Sequence, residues 1–184
     1  MGVSALRLSV AVGAGLLALV AVRGAAADPQ LLGLGAPLSV AAVQPFDIDV
    51  RADGAGLPAG HGSAREGAAL FAASCASCHG AKGEQPISPS IRLTGGQGTL
   101  TSPKAVQTVG SYWPYATTLY DYIHRAMPFN APQSLSPDQV YSVTAYVLFL
   151  NGIVSEDQAL DAASLPAVRM PNRGGFVPVD ASNR

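Results

Sequence analysis

The stretch "FAASCASCHG", residues 71–80, contains both cysteines of the chain and one of its three histidines. Cys75 and Cys78 are separated by two residues, and His79 follows directly. Four arrangements fit a C-x-x-C pair: a structural disulfide, a redox disulfide of the thioredoxin type, half of a zinc site, and an attachment point for haem c.

The rest of the chain favours haem attachment. A structural zinc site needs four ligands, and the sequence has no second cysteine pair, only His61 and His124. A thioredoxin-like pair is expected beside a βαβ pattern, which the sequence does not show. C-x-x-C-H instead offers two thiols to the vinyl groups on one haem edge and an imidazole to the iron. We therefore predict one covalently attached haem c.

The first 27 residues have the features of a cleaved secretory signal peptide. Arg7 precedes an apolar run of 15 residues, 8–22, and Ala25 and Ala27 form an A-x-A pattern. A retained membrane anchor is the alternative, but the run is short for a span of ~20 residues. We expect cleavage after Ala27, export to the periplasm, and no retained membrane span.

Composition limits the partners of the mature chain. Hydrophobic residues make up 48% of the sequence, which is enough for one compact domain with extensions. Removal of Arg7 and Arg23 leaves nine basic residues against twelve acidic ones, a net charge near −3. A nucleic-acid surface needs a basic patch or stripe, and none is visible, so we expect no nucleic-acid partner.

A capping pattern predicts the helix that carries the motif. Ser63 is followed three residues later by Glu66, which is a capping box, and we expect a helix over residues 64–76. Gly67 lies four residues before Phe71 on one helix face. A glycine here indicates either a tolerated defect or a close helix crossing, in which a Cβ atom would obstruct the partner.

Two further helices are expected in the second half. Ser136 and Gln139 form another capping box around a proline at the first helical position, which predicts a helix over residues 137–151 that stops at Gly152. Its buried stripe comprises Val140, Val143, Val147 and Leu148, with Tyr146 nearby. A shorter helix is predicted over residues 118–126, ended by Pro128.

This order of elements resembles the class I cytochrome c family, in which the first and last helices cross at a small residue and two aromatics. Gly67, Phe71 and Tyr146 match that pattern. The resemblance implies an all-α fold, a single class I cytochrome c domain with three to four helices around one covalent haem. It also implies that the sixth iron ligand is a methionine just before a proline, which Met127 matches.

Other side chains could also complete the iron site. His124 lies one helical turn before Met127, and a bis-histidine iron would have a lower potential. Met170 is also followed by a proline but lies beyond the last helix, and His61 precedes the first helix in a glycine-rich turn. We favour Met127, because Pro128 ends the helix there and fixes the chain.

The segment between the motif and the second helix, residues 80–116, has little periodicity. It is either a surface loop or, as the resemblance implies, a loop wrapped around the porphyrin. The resemblance further implies that the backbone carbonyl of Pro89 accepts the Nδ1 proton of the axial histidine, which would raise the donor strength of that histidine. Arg92, Tyr112 and Trp113 are candidates for holding the haem propionates, although packing or exposure would explain each of them as well.

Two extensions flank the predicted haem domain. We assign residues 1–27 to the signal peptide, 28–62 to an N-terminal extension, 63–154 to the cytochrome c domain and 155–184 to a C-terminal extension. Both extensions are expected to be irregular, apart from a strand-like alternation over residues 46–50. They are too apolar for loose tails, so we expect them to lie along the haem domain or a partner; the apolar residues concerned are Leu31, Leu32, Leu34, Phe46, Ile48, Met170 and Phe176.

A closer resemblance involves these extensions. "DIDVRADGAGLPAGHG" (47–62), "VGSYWPYATTLYDYIHRAMPFNAPQSLS" (109–136) and "RMPNRGGF" (169–176) are similar to the cytochrome subunits of sulfite dehydrogenases and of the Sox sulfane dehydrogenase. The resemblance implies a molybdopterin-containing catalytic subunit that oxidises a sulfur compound and passes electrons singly to the haem. Some sulfane dehydrogenase cytochromes have a second haem domain, whereas this chain has one attachment site, so sulfite and sulfane substrates both remain open.

The predicted function is therefore that of a periplasmic electron-transfer subunit with no catalysis of its own. Its electrons would pass to a downstream acceptor such as another cytochrome c. One alternative is a free periplasmic shuttle, or the cytochrome of another dehydrogenase. The other is an enzyme or gas sensor in which the iron keeps an open coordination position. Ligation of the iron by Met127 would fill that position.

Overall fold

The computed structural model describes residues 35–84 and 92–177. The chain divides into two compact units, residues 1–39 and 40–184. In the first unit, the described residues 35–39 are exposed and have no regular secondary structure.

Five helices and two very short strands make up the described part of the second unit. The helices are α1 (Val40–Val43), α2 (Ala64–Ser74), α3 (Ala76–His79), α4 (Ala116–Ala126) and α5 (Pro137–Leu150). The strands β1 (His61–Gly62) and β2 (Leu160–Asp161) pair antiparallel. Two 3₁₀ turns complete the regular structure, Gln44–Phe46 and Leu165–Ala167. This mostly helical architecture confirms the predicted all-α class.

Both predicted capping boxes are present. The Ser63 side chain accepts a bond from the N–H of Glu66, whose carboxylate accepts one from the N–H of Ser63. Ser136 and Gln139 make the same reciprocal pair at the start of α5. Helix α4 begins at Ala116, two residues earlier than predicted. The prediction missed this start because the helix has no side-chain cap that the sequence could reveal.

Helices α2 and α5 cross where Gly67 meets Ser142. A Cβ atom at Gly67 would overlap the carbonyl of Ser142 and lie 3.0 Å from the Cβ of Tyr146. One turn further on, the rings of Phe71 and Tyr146 are 5.1 Å apart between centroids. Gly62, just before α2, also lies against Ser142. Gly67 is therefore required by a close helix crossing and is not merely a tolerated helix defect.

The strand-like alternation at residues 46–50 does not form a strand. Pro45 lies in the first turn of the 3₁₀ segment Gln44–Phe46, and the N–H of Asp47 bonds back to the carbonyl of Gln44. The N–H of Val50 donates to the Asp121 carboxylate on α4 at 2.9 Å. The backbone N–H groups of Asp47 and Val50, which a strand would need for pairing, are therefore bonded within a turn and to a side chain.

The C-terminal extension lies along the helical domain, as expected. Four of its side chains are at most 7% exposed and belong to the main core: Leu160, Leu165, Val168 and Met170. Strand β2 pairs with β1, and Arg65 on α2 donates to Asp157 at 2.7 Å. Phe176 is 50% exposed, but its ring meets that of Tyr112 at 5.0 Å, and Ile48 is half-buried. Phe46, in contrast, is 81% exposed. Leu31, Leu32 and Leu34 lie outside the described residues.

No helix within residues 35–84 and 92–177 has both the length and the apolar character that crossing a membrane requires.

The crossing at Gly67 gives a prediction about stability. Gly67→Ala should lower the free energy of unfolding by about 1–3 kcal/mol, because the new methyl group forces α2 and α5 apart. An exposed helical glycine would show the opposite sign, since alanine favours a helix by about 1 kcal/mol. Urea unfolding of the haem-loaded protein, followed by circular dichroism, measures the difference.

The matched control is Ala69→Gly at an exposed position of the same helix. It should cost about 1 kcal/mol through helix propensity alone. A Gly67→Ala protein as stable as the wild type would contradict the close crossing.

Candidate haem site

The C-x-x-C-H motif lies at the junction of α2 and α3. Cys75 ends α2, with φ −121° and ψ −37°, and its N–H bonds to the carbonyl of Phe71 at 2.9 Å. The carbonyl of Cys75 then accepts bonds from the N–H groups of Cys78 at 3.1 Å and His79 at 3.0 Å. This tight turn holds the two thiols and the imidazole on one short piece of backbone.

Both thiols are free, and they differ in their surroundings. Cys75 is half-buried, and Cys78 is exposed. Burial raises the pKa of the Cys75 thiol to about 11, with a smaller contribution from the neighbouring Cys78. A thioredoxin-like pair needs a thiol with a depressed pKa, so Cys75 has the wrong electrostatics for redox exchange.

Met127 lies where α4 ends. It is the residue that follows the last helical position, its backbone is extended, and its N–H bonds to the carbonyl of Ile123 at 3.0 Å. Its half-buried side chain packs against the main core. Pro128 follows, so the chain leaves the helix at this thioether.

The three alternative ligands have different surroundings. Met170 is 4% exposed and belongs to the core that the C-terminal extension completes. His61 is exposed, and its N–H donates to Asp138 at 2.8 Å. His124 is half-buried, its ring centroid is 5.9 Å from that of Tyr120, and its Nδ1 atom has no hydrogen-bond partner among the described residues. His124 is therefore the alternative that most needs an experimental test.

Asn151, which sequence reasoning treated only as a helix end, ties the long loop to α5. Its amide nitrogen donates to the carbonyls of Leu93 at 3.1 Å and Val147 at 2.9 Å. Its side-chain oxygen accepts from the N–H of Gly95 at 3.3 Å. A Cβ atom at Gly110 would overlap this side chain, so the loop passes close to it twice. The sequence offers only one signal for Asn151, its position before a glycine at a helix end. That signal indicates a helix cap and does not indicate that the side chain anchors a loop.

A buried hydroxyl pair shapes the segment that carries Tyr112 and Trp113. Thr108 donates to the carbonyl of Gly95 at 2.6 Å, and Ser111 donates to that of Val106 at 2.6 Å. The N–H of Thr108 donates in turn to the Ser111 hydroxyl at 2.9 Å. These bonds close a compact turn immediately before Tyr112.

The three candidate partners of the haem propionates and the proline predicted to bond to the axial histidine lie in different surroundings. Tyr112 is half-buried, and its ring meets Phe176 edge-on at 5.0 Å. Trp113 is half-buried and meets the ring of Tyr122 edge-on at 5.8 Å. Arg92 is exposed, and Pro89 lies outside the described residues. Their roles at the haem stay predictions.

Two comparisons identify the family. The cytochrome c family model matches residues 64–151, which hold the motif, Met127 and the crossing helices. The crystal structure of the sulfane dehydrogenase SoxCD from Paracoccus pantotrophus contains a similar chain, 45% identical with a TM-score of 0.74. The match covers 83% of this chain and 74% of that one. The chain belongs to the class I c-type cytochromes. Among curated proteins, no significant match is found.

The donor set of this cytochrome fits its cofactor. Two free thiols at the C-x-x-C spacing can form the two thioether bonds of one haem c, and the chain has no other cysteine. When bound, the haem takes up and releases single electrons at its iron. The imidazole of His79 lies beside the attachment points and the thioether of Met127 at the end of α4, and these are the groups that would hold the iron.

The choice between Met127 and His124 gives a spectroscopic prediction. Met127→Ala should abolish the weak red charge-transfer band that the family resemblance implies for a Met/His ferric protein. It should also open the iron to carbon monoxide. His124→Ala should keep the band and the closed iron. Loss of the band in the His124 variant, with the Met127 variant unchanged, would reverse the assignment.

Asn151 gives a second prediction. Asn151→Ala should cost about 1–3 kcal/mol of stability, because partly buried carbonyl and N–H groups of the loop lose their partner. Hydrogen exchange should speed up at the Gly95 amide, which donates to Asn151. Asn130→Ala is the control, since Asn130 is exposed. Equal exchange at Gly95 in both variants would show that Asn151 does not hold the loop.

Proposed function

We propose that this cytochrome is the haem subunit of an exported, molybdenum-dependent dehydrogenase that oxidises sulfite or a sulfane compound. The observation that carries the proposal is the extent of the SoxCD match. Its 83% coverage corresponds to about 153 residues, whereas the cytochrome c family model spans only 64–151. The similarity therefore reaches well into the extensions, which a general electron carrier does not need.

We further propose His79 and Met127 as the two axial ligands. With both in place, the iron has no open position for a substrate, and Met/His ligation raises the potential, as suits an electron acceptor. The protein then contributes by positioning the haem, limiting water access and presenting a docking surface. Oxidation of the sulfur substrate would occur on the partner subunit, and electrons would leave this subunit singly for another cytochrome c.

Docking through apolar contact fits the surface better than docking through a lysine ring. The chain has only two lysines, Lys82 and Lys104. Beside Met127, Phe129 is 84% exposed, and Tyr122 on α4 is 50% exposed. Exposed large apolar side chains, one of them two residues after the proposed ligand, are what a partner would cover. The on-rate should therefore depend only weakly on salt.

Export to the periplasm completes the proposal. The sequence pattern at residues 8–27 supports a cleaved leader ending at Ala27. Covalent haem attachment and an exported dehydrogenase would then occupy the same compartment.

The experiment co-expresses the chain with a molybdopterin subunit encoded in the same genome and mixes the purified proteins with sulfite or with a protein-bound sulfane. We expect a stable heterodimer by size-exclusion chromatography and rapid reduction of the haem on substrate addition. Phe129→Ser should weaken the complex about tenfold or more, a typical loss for an interface anchor. Lys104→Glu should leave the affinity within about threefold, because rim charges contribute little.

A monomer that no molybdopterin subunit of that genome reduces would support the free shuttle and contradict the proposal. A complex whose on-rate falls steeply with ionic strength would contradict the apolar docking mode alone.

A further inference from the structure

We propose that the segment Val168–Phe176, here called the C-terminal strap, is a positioning element that holds Tyr112 and thereby sets the potential of the haem. The inference rests on the sequence-based prediction that Tyr112 and Trp113 are candidates for holding the haem propionates. It is independent of the molybdenum partner, because the strap and its targets belong to this chain.

The strap is fixed at its base by burial. Val168 is 7% exposed and Met170 is 4% exposed, and both are part of the main core. Beyond Met170 the chain makes a turn in which the N–H of Arg173 bonds to the carbonyl of Met170 at 3.2 Å. The following residues therefore leave the core at a defined point and in a defined direction.

The strap contacts the Tyr112–Tyr115 segment at three places. The amide nitrogen of Asn172 donates to the carbonyl of Tyr112 at 2.7 Å. The ring of Phe176 meets the ring of Tyr112 edge-on, with centroids 5.0 Å apart. The guanidinium of Arg173 lies 5.0 Å from the centre of the Tyr115 ring, a cation–π distance. A hydrogen bond and an aromatic pair thus hold Tyr112, and a cation–π contact holds Tyr115.

Gly175 lets Asn172 take this position. The N–H of Gly175 bonds to the carbonyl of Asn172 at 3.0 Å, which folds the strap into a turn. A Cβ atom at Gly175 would overlap the Asn172 side-chain amide. The glycine therefore leaves room for the amide that bonds to Tyr112.

Tyr112 is held from both sides of its peptide backbone. Its N–H donates to the carbonyl of Thr108 at 2.9 Å, within the turn that the buried Thr108 and Ser111 hydroxyls close. Its carbonyl accepts from Asn172 of the strap. One anchor is local in sequence, and the other comes from a residue 60 positions away.

Holding Tyr112 in a fixed position has an electrostatic consequence for the haem. A hydrogen-bond donor beside a propionate acts fully only when it is held in place, and a closed protein shell keeps water away from the iron. If the strap loosens, Tyr112 loses its fixed position, and the donor that it would offer to a propionate becomes more solvated. Because a more polar environment stabilises the ferric form, which carries the greater positive charge, the potential should fall.

The test measures the midpoint potential of the isolated, haem-loaded protein by spectroelectrochemical titration. In Asn172→Ala and in Phe176→Ala, the equilibrium constant for reduction of the haem by a fixed redox mediator should fall about threefold, which favours the ferric form. A change of this size is the effect of losing roughly one net hydrogen bond. Phe176→Tyr keeps the aromatic edge and should restore the wild-type potential. If Asn172→Ala gives too little loaded protein, Phe176→Ala remains usable, because that side chain is half exposed.

Asp157→Asn is the matched control. It weakens another anchor of the same extension, the 2.7 Å bond from Arg65, without contacting the Tyr112 segment. Its potential should equal that of the wild type. If Asn172→Ala and Phe176→Ala also keep the wild-type potential, the strap only stabilises the fold, and the proposal is overturned.

Discussion

The contact between Gly67 and the backbone of Ser142 is the constraint on which the rest of the structure depends. Without a side chain at residue 67, α2 approaches α5 closely enough for Phe71 and Tyr146 to pack ring against ring. The end of α2 then fixes Cys75, and the turn after it fixes Cys78 and His79. The attachment points of the cofactor are thus positioned by a helix crossing one or two turns away.

The same α5 also anchors the segments that come before and after it in the chain. Asn151 at its end bonds to the loop at Leu93 and Gly95, and Tyr141 near its start donates to the carbonyl of Pro58 in the N-terminal extension at 3.0 Å. The C-terminal extension returns from α5 to cover the core with Leu160 and Leu165. A domain this small buries limited apolar surface, so these polar anchors and the covalently held cofactor add stability that the helices alone would lack.

Signals that act over a few residues could be predicted from the sequence. The capping boxes at Ser63 and Ser136 are local hydrogen bonds, and the C-x-x-C-H spacing is a covalent requirement, so each can be recognised without the fold. The anchors at Asn151 and Asn172 could not be predicted, because each joins residues about 60 positions apart. The alternation at residues 46–50 was misleading for the same reason: a strand needs a partner, and here the partner of Val50 is the Asp121 side chain.

The central proposal is that His79 and Met127 would both bind the iron of one haem, so that no coordination position stays open. The most direct measurement is the NMR spectrum of the reduced protein labelled with ¹³C-methyl methionine. A methionine methyl group bound to the iron lies over the porphyrin, whose ring current shifts its resonance far upfield. The account predicts one such resonance, assigned to Met127 by its absence in Met127→Leu, while Met170 stays in the ordinary range. An upfield resonance that belongs to Met170, or none at all, would contradict it.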